Sequence, residues 1–151
     1  MADDFLEPTP ISQASQPSAS RRAVKLIAVV EDDPQLTDLF YDIMKDQAHW
    51  RLHFFPDGQI AKNNLPALQP DLILLDVGLP NLDGAALYKI LRGHSRTRHT
   101  PIIVITGSHD WQLHRMGLQT GLFLRKPFKL QELLFIMRAL LGEDQHTDGI
   151  G

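Results

Sequence analysis

The 151-residue sequence contains no cysteine, so neither disulfides nor thiolate zinc sites can form, which fits a reducing compartment. It also lacks a large excess of either charge. Fifteen basic and 18 acidic residues give a formal net charge of -3, which favours neither nucleic acid nor an anionic membrane as a partner. No apolar run approaches the ~20 residues of a membrane span, and the acidic Asp3 and Asp4 argue against a secretory signal. We therefore expect a cytoplasmic protein without membrane or direct nucleic-acid contacts.

Bulky apolar residues are scarce at both ends of the chain. Residues 1–23 are rich in proline, serine and glutamine, a composition that buries too little surface to offset chain entropy, so they are predicted to be a disordered tail. Residues 142–151 are polar and contain glycine, which predicts a flexible C-terminal tail. The apolar residues are concentrated in between, which predicts one domain over residues 24–141.

Between these tails, apolar runs of strand length alternate with segments of helical periodicity. The predicted strands are 25–30, 51–55, 72–75, 101–105 and 122–125. The predicted helices are 34–47, 58–65, 84–92, 109–120 and 130–141, with Pro66, Gly93 and Gly121 expected to end the second, third and fourth. Five alternating pairs indicate an α/β fold, a doubly wound parallel five-stranded sheet with helices on both faces. Ligands bind such sheets beyond the carboxyl ends of the strands.

Charged and hydroxyl side chains follow four of the predicted strands. Glu31 and Asp32 come after the first strand, Asp76 after the third, Thr106 after the fourth and Lys126 after the fifth. Crowded carboxylates would raise one another's pKa values, and a hard divalent cation such as Mg²⁺ would relieve that repulsion. An ionised Asp76 could then attack a phosphorus atom, with Thr106 and Lys126 contacting the phosphoryl oxygens. The pattern predicts Mg²⁺-assisted phosphoryl transfer to Asp76.

Four segments of the chain resemble the receiver domain of bacterial two-component response regulators. They are VVEDDPQL, LILLDVGLPNLDG, VITGS and FLRKPF, and the similarity covers about residues 24–141. The resemblance implies a flavodoxin-like (βα)5 fold with strand order 2-1-3-4-5. It also implies that Asp76 is the phosphoacceptor and that Asp32 is a direct Mg²⁺ ligand, with Glu31 acting mostly through water. The backbone carbonyl of Gly78 would be the third protein ligand.

The same resemblance implies a switch at the last two strands. Thr106 and Lys126 would contact the phosphoryl group, and the bond between Lys126 and Pro127 would be cis. Movement of Thr106 would let the ring of Phe123 turn inward and change the face formed by helix 4, strand 5 and helix 5. This chain departs from the family in having Phe123 where tyrosine is frequent and a shorter link before strand 5. Gly78 also offers no side chain to guide water, which leaves the phosphoryl lifetime open.

These features together predict a single-domain response regulator that catalyses only its own phosphorylation and dephosphorylation. The expected donor is a sensor histidine kinase or a phosphotransfer protein, and the expected output is a downstream protein target. A homodimer through the helix 4–strand 5–helix 5 face is a further expectation, since Phe135 does not fit the inward face of its helix. A stand-alone role is expected because the ten polar residues after Leu141 cannot form a helix-turn-helix unit.

Two other functions remain open on the sequence. One is a receiver fragment of a DNA-binding transcriptional regulator. The other is a different flavodoxin-like protein, either a nucleotide or flavin binder or a phosphatase that forms an aspartyl intermediate. No Gly-rich loop follows the first strand, where Glu31 and Asp32 would repel a phosphate unless a metal ion intervened.

Overall fold

The chain alternates strictly between strands and helices. A computed structural model describes residues 23–107, 110–115, 117–118 and 122–143, so most of both predicted tails lies outside the described residues. The elements are β1 (Lys25–Val30), α1 (Pro34–Met44), β2 (Trp50–Phe55), α2 (Gly58–Leu68), β3 (Leu72–Asp76), α3 (Gly84–Gly93), β4 (Ile102–Thr106), α4 (Asp110–Arg115), β5 (Leu122–Arg125) and α5 (Leu130–Leu140). Among the described helices, none combines the length and the apolar character needed to cross a bilayer.

The five strands form one parallel sheet in the order β2-β1-β3-β4-β5, which confirms the predicted fold class and strand order. The register brings the carboxyl ends of the strands to one edge. Val30 lies opposite Leu75, and Asp76 lies opposite Ile105. The residues that follow β1, β3 and β4 therefore meet at the same edge of the sheet.

Strand β3 lies between two hydrophobic cores, one on each face of the sheet, and all five of its residues are buried. Ile73 and Leu75 face the core that includes residues of α2 and α3, whereas Leu72 and Leu74 face the core that includes residues of α1 and α5. This alternation follows from the two-residue period of a strand covered on both faces. Asp76, at the end of β3, therefore stands on a rigid element.

Aspartates cap three of the helices that begin at this edge. Asp33 accepts a hydrogen bond from the backbone N–H of Gln35 at 2.9 Å and precedes Pro34, the first residue of α1. Asp83 accepts from the N–H of Ala86 at 2.8 Å, and Asp57 caps α2 in the same way. These caps define where each loop beyond a strand ends.

The prediction that Pro66 ends the second helix is wrong, because α2 continues to Leu68 with Pro66 inside it. A proline in a helix loses one hydrogen bond and clashes with the carbonyl four residues earlier. Here Leu65 is fully buried and Leu68 packs against the same core. Burial of these two side chains favours the extra turn, which ends at Gln69 with a left-handed φ of 48°.

The ends of α1, α3 and α4 also differ from the prediction. Helix α1 ends at Met44 rather than at residue 47. Gly93 is the last residue of α3, and the cap is the extended His94, whose N–H donates to the carbonyl of Leu91. Helix α4 ends at Arg115 rather than at residue 120, and Gly117 has a positive φ of 76° that a right-handed helix does not contain. Gly121 lies outside the described residues.

Candidate functional site

Three carboxylates converge at the carboxyl ends of β1 and β3. Glu31, Asp32 and Asp76 each present an oxygen atom within 4.8 Å of the others. Glu31 and Asp76 are buried, whereas Asp32 is exposed. The side chains predicted to hold a metal ion therefore share one small space, with one of them open to solvent.

One ammonium group faces this acidic cluster. The Nζ atom of Lys126 lies 3.6 Å from Oδ1 of Asp76 and 3.9 Å from Oε2 of Glu31. Its backbone N–H donates to the carbonyl of Thr106 at 2.8 Å, and the following bond to Pro127 is cis, as the resemblance implies. The lysine predicted to neutralise a phosphoryl oxygen is therefore beside the predicted phosphoacceptor.

Glu31 is in an unfavourable place for a charged side chain. Its Oε1 atom accepts from the N–H of Asp33 at 3.2 Å, but its Oε2 atom is buried and accepts no hydrogen bond from the described residues. Burial first and the charge of Asp76 second raise the pKa of Glu31 from 4.5 to about 7, against the lowering effects of the Asp33 N–H and Lys126. A cation at this edge would give the buried oxygen a partner.

The donor set fits a hard divalent cation. Carboxylate oxygens without nitrogen or sulfur suit Mg²⁺ or Ca²⁺, and few protein ligands with open positions favour Mg²⁺. Gly78 lies two residues past Asp76, is exposed, and donates its N–H to Oδ1 of Asp76 at 3.3 Å. The backbone of this loop is therefore close to the carboxylate, where the resemblance places a third ligand.

Glycine at position 84 lets α3 begin directly against the backbone of Asp76. A Cβ atom on Gly84 would lie 2.1 Å from the carbonyl oxygen of Asp76 and 2.6 Å from the Cα of Val77, both far too close. The N–H of Gly84 also donates to the carbonyl of Val77 at 3.0 Å. Gly84 thus closes the loop after Asp76 tightly against the end of β3.

The two predicted switch residues differ in their surroundings. Thr106 ends β4 and is 1% exposed, at the same edge as Asp76. Phe123 lies on β5 opposite Val104 and packs, half-buried, against the core that includes residues of α2 and α3. Beyond Thr106, a Cβ atom on Gly107 would meet nothing within 4 Å. The chain is therefore uncrowded at the residue that follows Thr106.

One contact near the site, between Asp57 and Asn81, was not predicted from the sequence. The side-chain amide of Asn81 donates to the carboxylate of Asp57, which lies 24 residues earlier in the chain. The Asp57-Gly58 pair predicts a helix start, and Pro80-Asn81 predicts a turn. Neither local signal identifies the partner, because the contact depends on how two loops meet.

Comparison with known proteins agrees with this geometry. The model of the response regulator receiver domain family matches residues 27–138. The fold is similar to the receiver domain of a sensor histidine kinase from Pseudomonas aeruginosa PAO1, with a TM-score of 0.72 and 30% identity, covering 80% of this chain and 100% of that one. That receiver domain has a magnesium ion coordinated in its active site cleft.

Two curated relatives are DNA-binding regulators. The chain is 35% identical over 126 residues to the DNA-binding dual master transcriptional regulator RpaA of Synechocystis, which is 82% of this chain and 51% of the relative. It is 32% identical over 121 residues to the DNA-binding response regulator MtrA of Mycolicibacterium smegmatis, covering 79% of this chain and 51% of the relative. The chain thus spans about half the length of these relatives. With its family model matched over most of its length, the chain belongs to the response regulator receiver domain family.

Proposed function

We propose that Asp76 accepts a phosphoryl group from the phosphohistidine of a sensor histidine kinase or a phosphotransfer protein, in a reaction that requires Mg²⁺. The observation that carries this proposal is the arrangement around Asp76. Oxygen atoms of Glu31 and Asp32 lie within 4.8 Å of an oxygen of Asp76, and the Lys126 ammonium lies 3.6 Å from Asp76 Oδ1. A nucleophile, a site for a divalent cation and a fixed positive charge meet at one edge of the sheet.

The cation would be held by Asp32, Asp76 and the carbonyl of Gly78, with Glu31 acting mostly through water. A bound Mg²⁺ supplies neutralisation of the phosphoryl oxygens. A carboxylate oxygen of Asp76 forms the new P–O bond while the P–N bond to the donor histidine breaks, and the leaving imidazole keeps the electron pair and takes up a proton. Lys126 neutralises a phosphoryl oxygen, and the hydroxyl of Thr106 donates to another.

Phosphorylation would act by changing the surface of the protein, and no other substrate would be converted. Thr106 is buried at the end of β4, the strand that pairs with β3, so its hydroxyl would move toward a phosphoryl group on Asp76. Phe123 then turns inward, and the α4–β5–α5 face changes its contacts with a protein target or with a second copy of the chain. Phe135 on α5, 59% exposed, is a candidate contact in such a dimer.

Acetyl phosphate tests the reaction directly. With Mg²⁺ present, the mass of the intact protein is expected to rise by one phosphoryl group, and the rise is expected to vanish in EDTA and in Asp76→Asn. Asp38→Asn is the matched control, because Asp38 is an exposed aspartate of α1 that is not one of the three clustered carboxylates. Labelling that persists in Asp76→Asn on another residue would overturn the assignment.

A second candidate function is phosphorylation-dependent control of DNA binding as part of a longer regulator. The observation that favours it is that the curated relatives are DNA-binding proteins about twice as long as the chain. The size of the endogenous protein distinguishes the two. An immunoblot band near 17.1 kDa supports a stand-alone receiver, and a band at about twice that mass supports the longer regulator.

A further inference from the structure

The start of α2 is bonded to the loop that follows Asp76. The carboxylate of Asp57 accepts from the N–H groups of Gln59 at 2.6 Å and Ile60 at 3.1 Å through Oδ1, and from the side-chain amide of Asn81 through Oδ2. One carboxylate therefore caps a helix and holds a loop. The hydrogen bond from Asn81 is also the main cause that lowers the pKa of Asp57, ahead of the Ile60 N–H. We call this contact the Asp57–Asn81 clamp.

Asn81 holds the loop in an uncommon backbone conformation. Its φ is 64°, in the left-handed region that asparagine and glycine tolerate better than other residues. The next residue, Leu82, donates its N–H to the carbonyl of Pro80 at 2.8 Å, which tightens the turn. The side-chain bond to Asp57 selects this turn from the alternatives that an isolated loop would sample.

The contact between α2 and the loop is also steric. A Cβ atom on Gly58 would lie 2.1 Å from the carbonyl oxygen of Leu82, so the first turn of α2 touches the loop backbone directly. The N-terminal end of the loop, at Asp76 and Val77, packs directly against Gly84, as described above. Gly78 lies between Val77 and Leu82, the two residues at which the loop is packed, and it donates its N–H to the carboxylate of Asp76.

We propose that Asp57 and Asn81 are positioning residues of the metal site, which fix the loop from residue 77 to residue 83 so that its backbone lies correctly beside Asp76. This inference rests on the proposed function, in which the carbonyl of Gly78 is a metal ligand. Neither clamp residue is assigned a contact with the cation or the phosphoryl group. A purely structural cap would change the stability of the fold but not the affinity for metal, and this difference makes the proposal testable.

Three variants at positions 57 and 81 test the hydrogen bond of the clamp separately from the backbone conformation and the helix cap. Asn81→Gly removes the side-chain bond but tolerates the positive φ, so backbone strain does not confuse the result. Asn81→Asp alone places two carboxylates against each other. Combining Asn81→Asp with Asp57→Asn reverses donor and acceptor, and the amide oxygen at position 57 can still cap α2. Asn63→Ala is the matched control, because Asn63 is an exposed asparagine of α2.

Two measurements on the full chain read the effect without phosphorylation. Calorimetry gives the Kd for Mg²⁺, and hydrogen exchange in metal-free buffer gives the protection of the amides of residues 78–82. Loss of a hydrogen bond to a charged group is expected to raise the Kd about tenfold in Asn81→Gly and further in Asn81→Asp, and to speed exchange in the loop. The reversed pair is expected to recover an affinity within about threefold of the parent chain, and Asn63→Ala to leave it unchanged.

The proposal is overturned if Asn81→Gly leaves both the Kd and the exchange rates at parent values. It is also overturned if the unfolding free energy falls while the Kd stays constant, since that outcome describes a structural cap alone. Failure of the parent chain to bind Mg²⁺ would contradict the proposed function and, with it, a role for the clamp at a metal site. Exchange rates in that case would still show whether the clamp orders the loop.

Discussion

At the scale of single residues, Glu31 departs most from ordinary conditions. It is 4% exposed, one of its oxygens lacks a hydrogen bond from the described residues, and its pKa is raised to about 7. A carboxyl with a raised pKa weakens the fold once it must ionise. The metal site proposed above would explain why a carboxyl that is costly to ionise stands at this position.

We expect Glu31→Gln to stabilise the metal-free protein at alkaline pH. The pKa of this carboxyl is ordinarily 4.5 and is raised to about 7 in the fold, so its ionisation costs stability progressively as the pH rises between these values. The gain from the substitution should be near zero below pH 4.5 and should reach up to roughly 3 kcal/mol above pH 7. Urea unfolding in EDTA at several pH values measures it.

The control for this prediction is Asp38→Asn, which removes an exposed carboxylate of α1. Its effect on the unfolding free energy should stay small across the same pH range. Mg²⁺ should favour the parent chain over Glu31→Gln, because the cation offsets the charge that the substitution removes. A Glu31→Gln variant that is less stable than the parent chain at pH 8 in EDTA would contradict the prediction, because it would show that ionised Glu31 stabilises the metal-free fold.

At the scale of elements, the strands were predictable because each is a short apolar run. The predicted bounds 25–30 and 122–125 agree with β1 and β5, β2 and β3 differ by one residue at one end, and β4 is shifted by one residue at both ends. Helix ends were less predictable because they depend on distant packing, as at Pro66. The gathering of Asp32, Asp76 and Lys126 followed from parallel topology, whereas the Asp57–Asn81 clamp depends on loop conformations that no local pattern encodes.

The end of α3 offers a test of this dependence on distant contacts. The hydroxyl of Thr97, fully buried, donates to the carbonyl of Leu91 at 2.7 Å. The guanidinium of Arg92 donates to the carbonyls of Arg98 and Thr100. Side chains of Thr97 and Arg92 therefore stabilise the end of α3 and the loop after it, where the sequence predicted a glycine cap.

We expect Thr97→Val to lower the free energy of unfolding by about 1–2 kcal/mol, since the buried carbonyl of Leu91 loses its strong donor. Thr97→Ser keeps the hydroxyl and is the matched control, with a smaller expected loss from the missing methyl group. Chemical denaturation with a constant m-value measures both. Equal losses in the two variants would mean that packing, and not the hydrogen bond, holds the loop.

At the scale of the whole molecule, the C-terminal end of the described chain is bonded to the region where the edge strand β2 begins. The indole N–H of Trp50 donates to the carboxylate of Glu143 at 2.7 Å. The guanidinium of Arg138 reaches the side chain of Gln47 at 3.3 Å. These bonds span more than 90 residues of sequence and join the end of α5 to the turn between α1 and β2.

A double-mutant cycle on Trp50→Phe and Glu143→Ala should give a coupling energy of about 1 kcal/mol, because the two changes remove one shared hydrogen bond. The unfolding free energy is best followed by circular dichroism, since Trp50→Phe removes a fluorophore. Glu132→Ala, an exposed glutamate in the first turn of α5, is the control and should show no coupling with Trp50→Phe. Additive losses in the main cycle would place the two side chains in independent roles.

The position of the acidic cluster along the chain has a consequence for the order of assembly. Its three carboxylates all belong to the first 76 residues, whereas the ammonium that faces them belongs to Lys126, after the last strand. An intermediate with β1 and β3 paired, but with β5 still absent, would hold like charges together without their internal counter-ion. Completion of the sheet therefore also brings Lys126 to this edge, and before that step a dissolved divalent cation could offset part of the repulsion between the carboxylates.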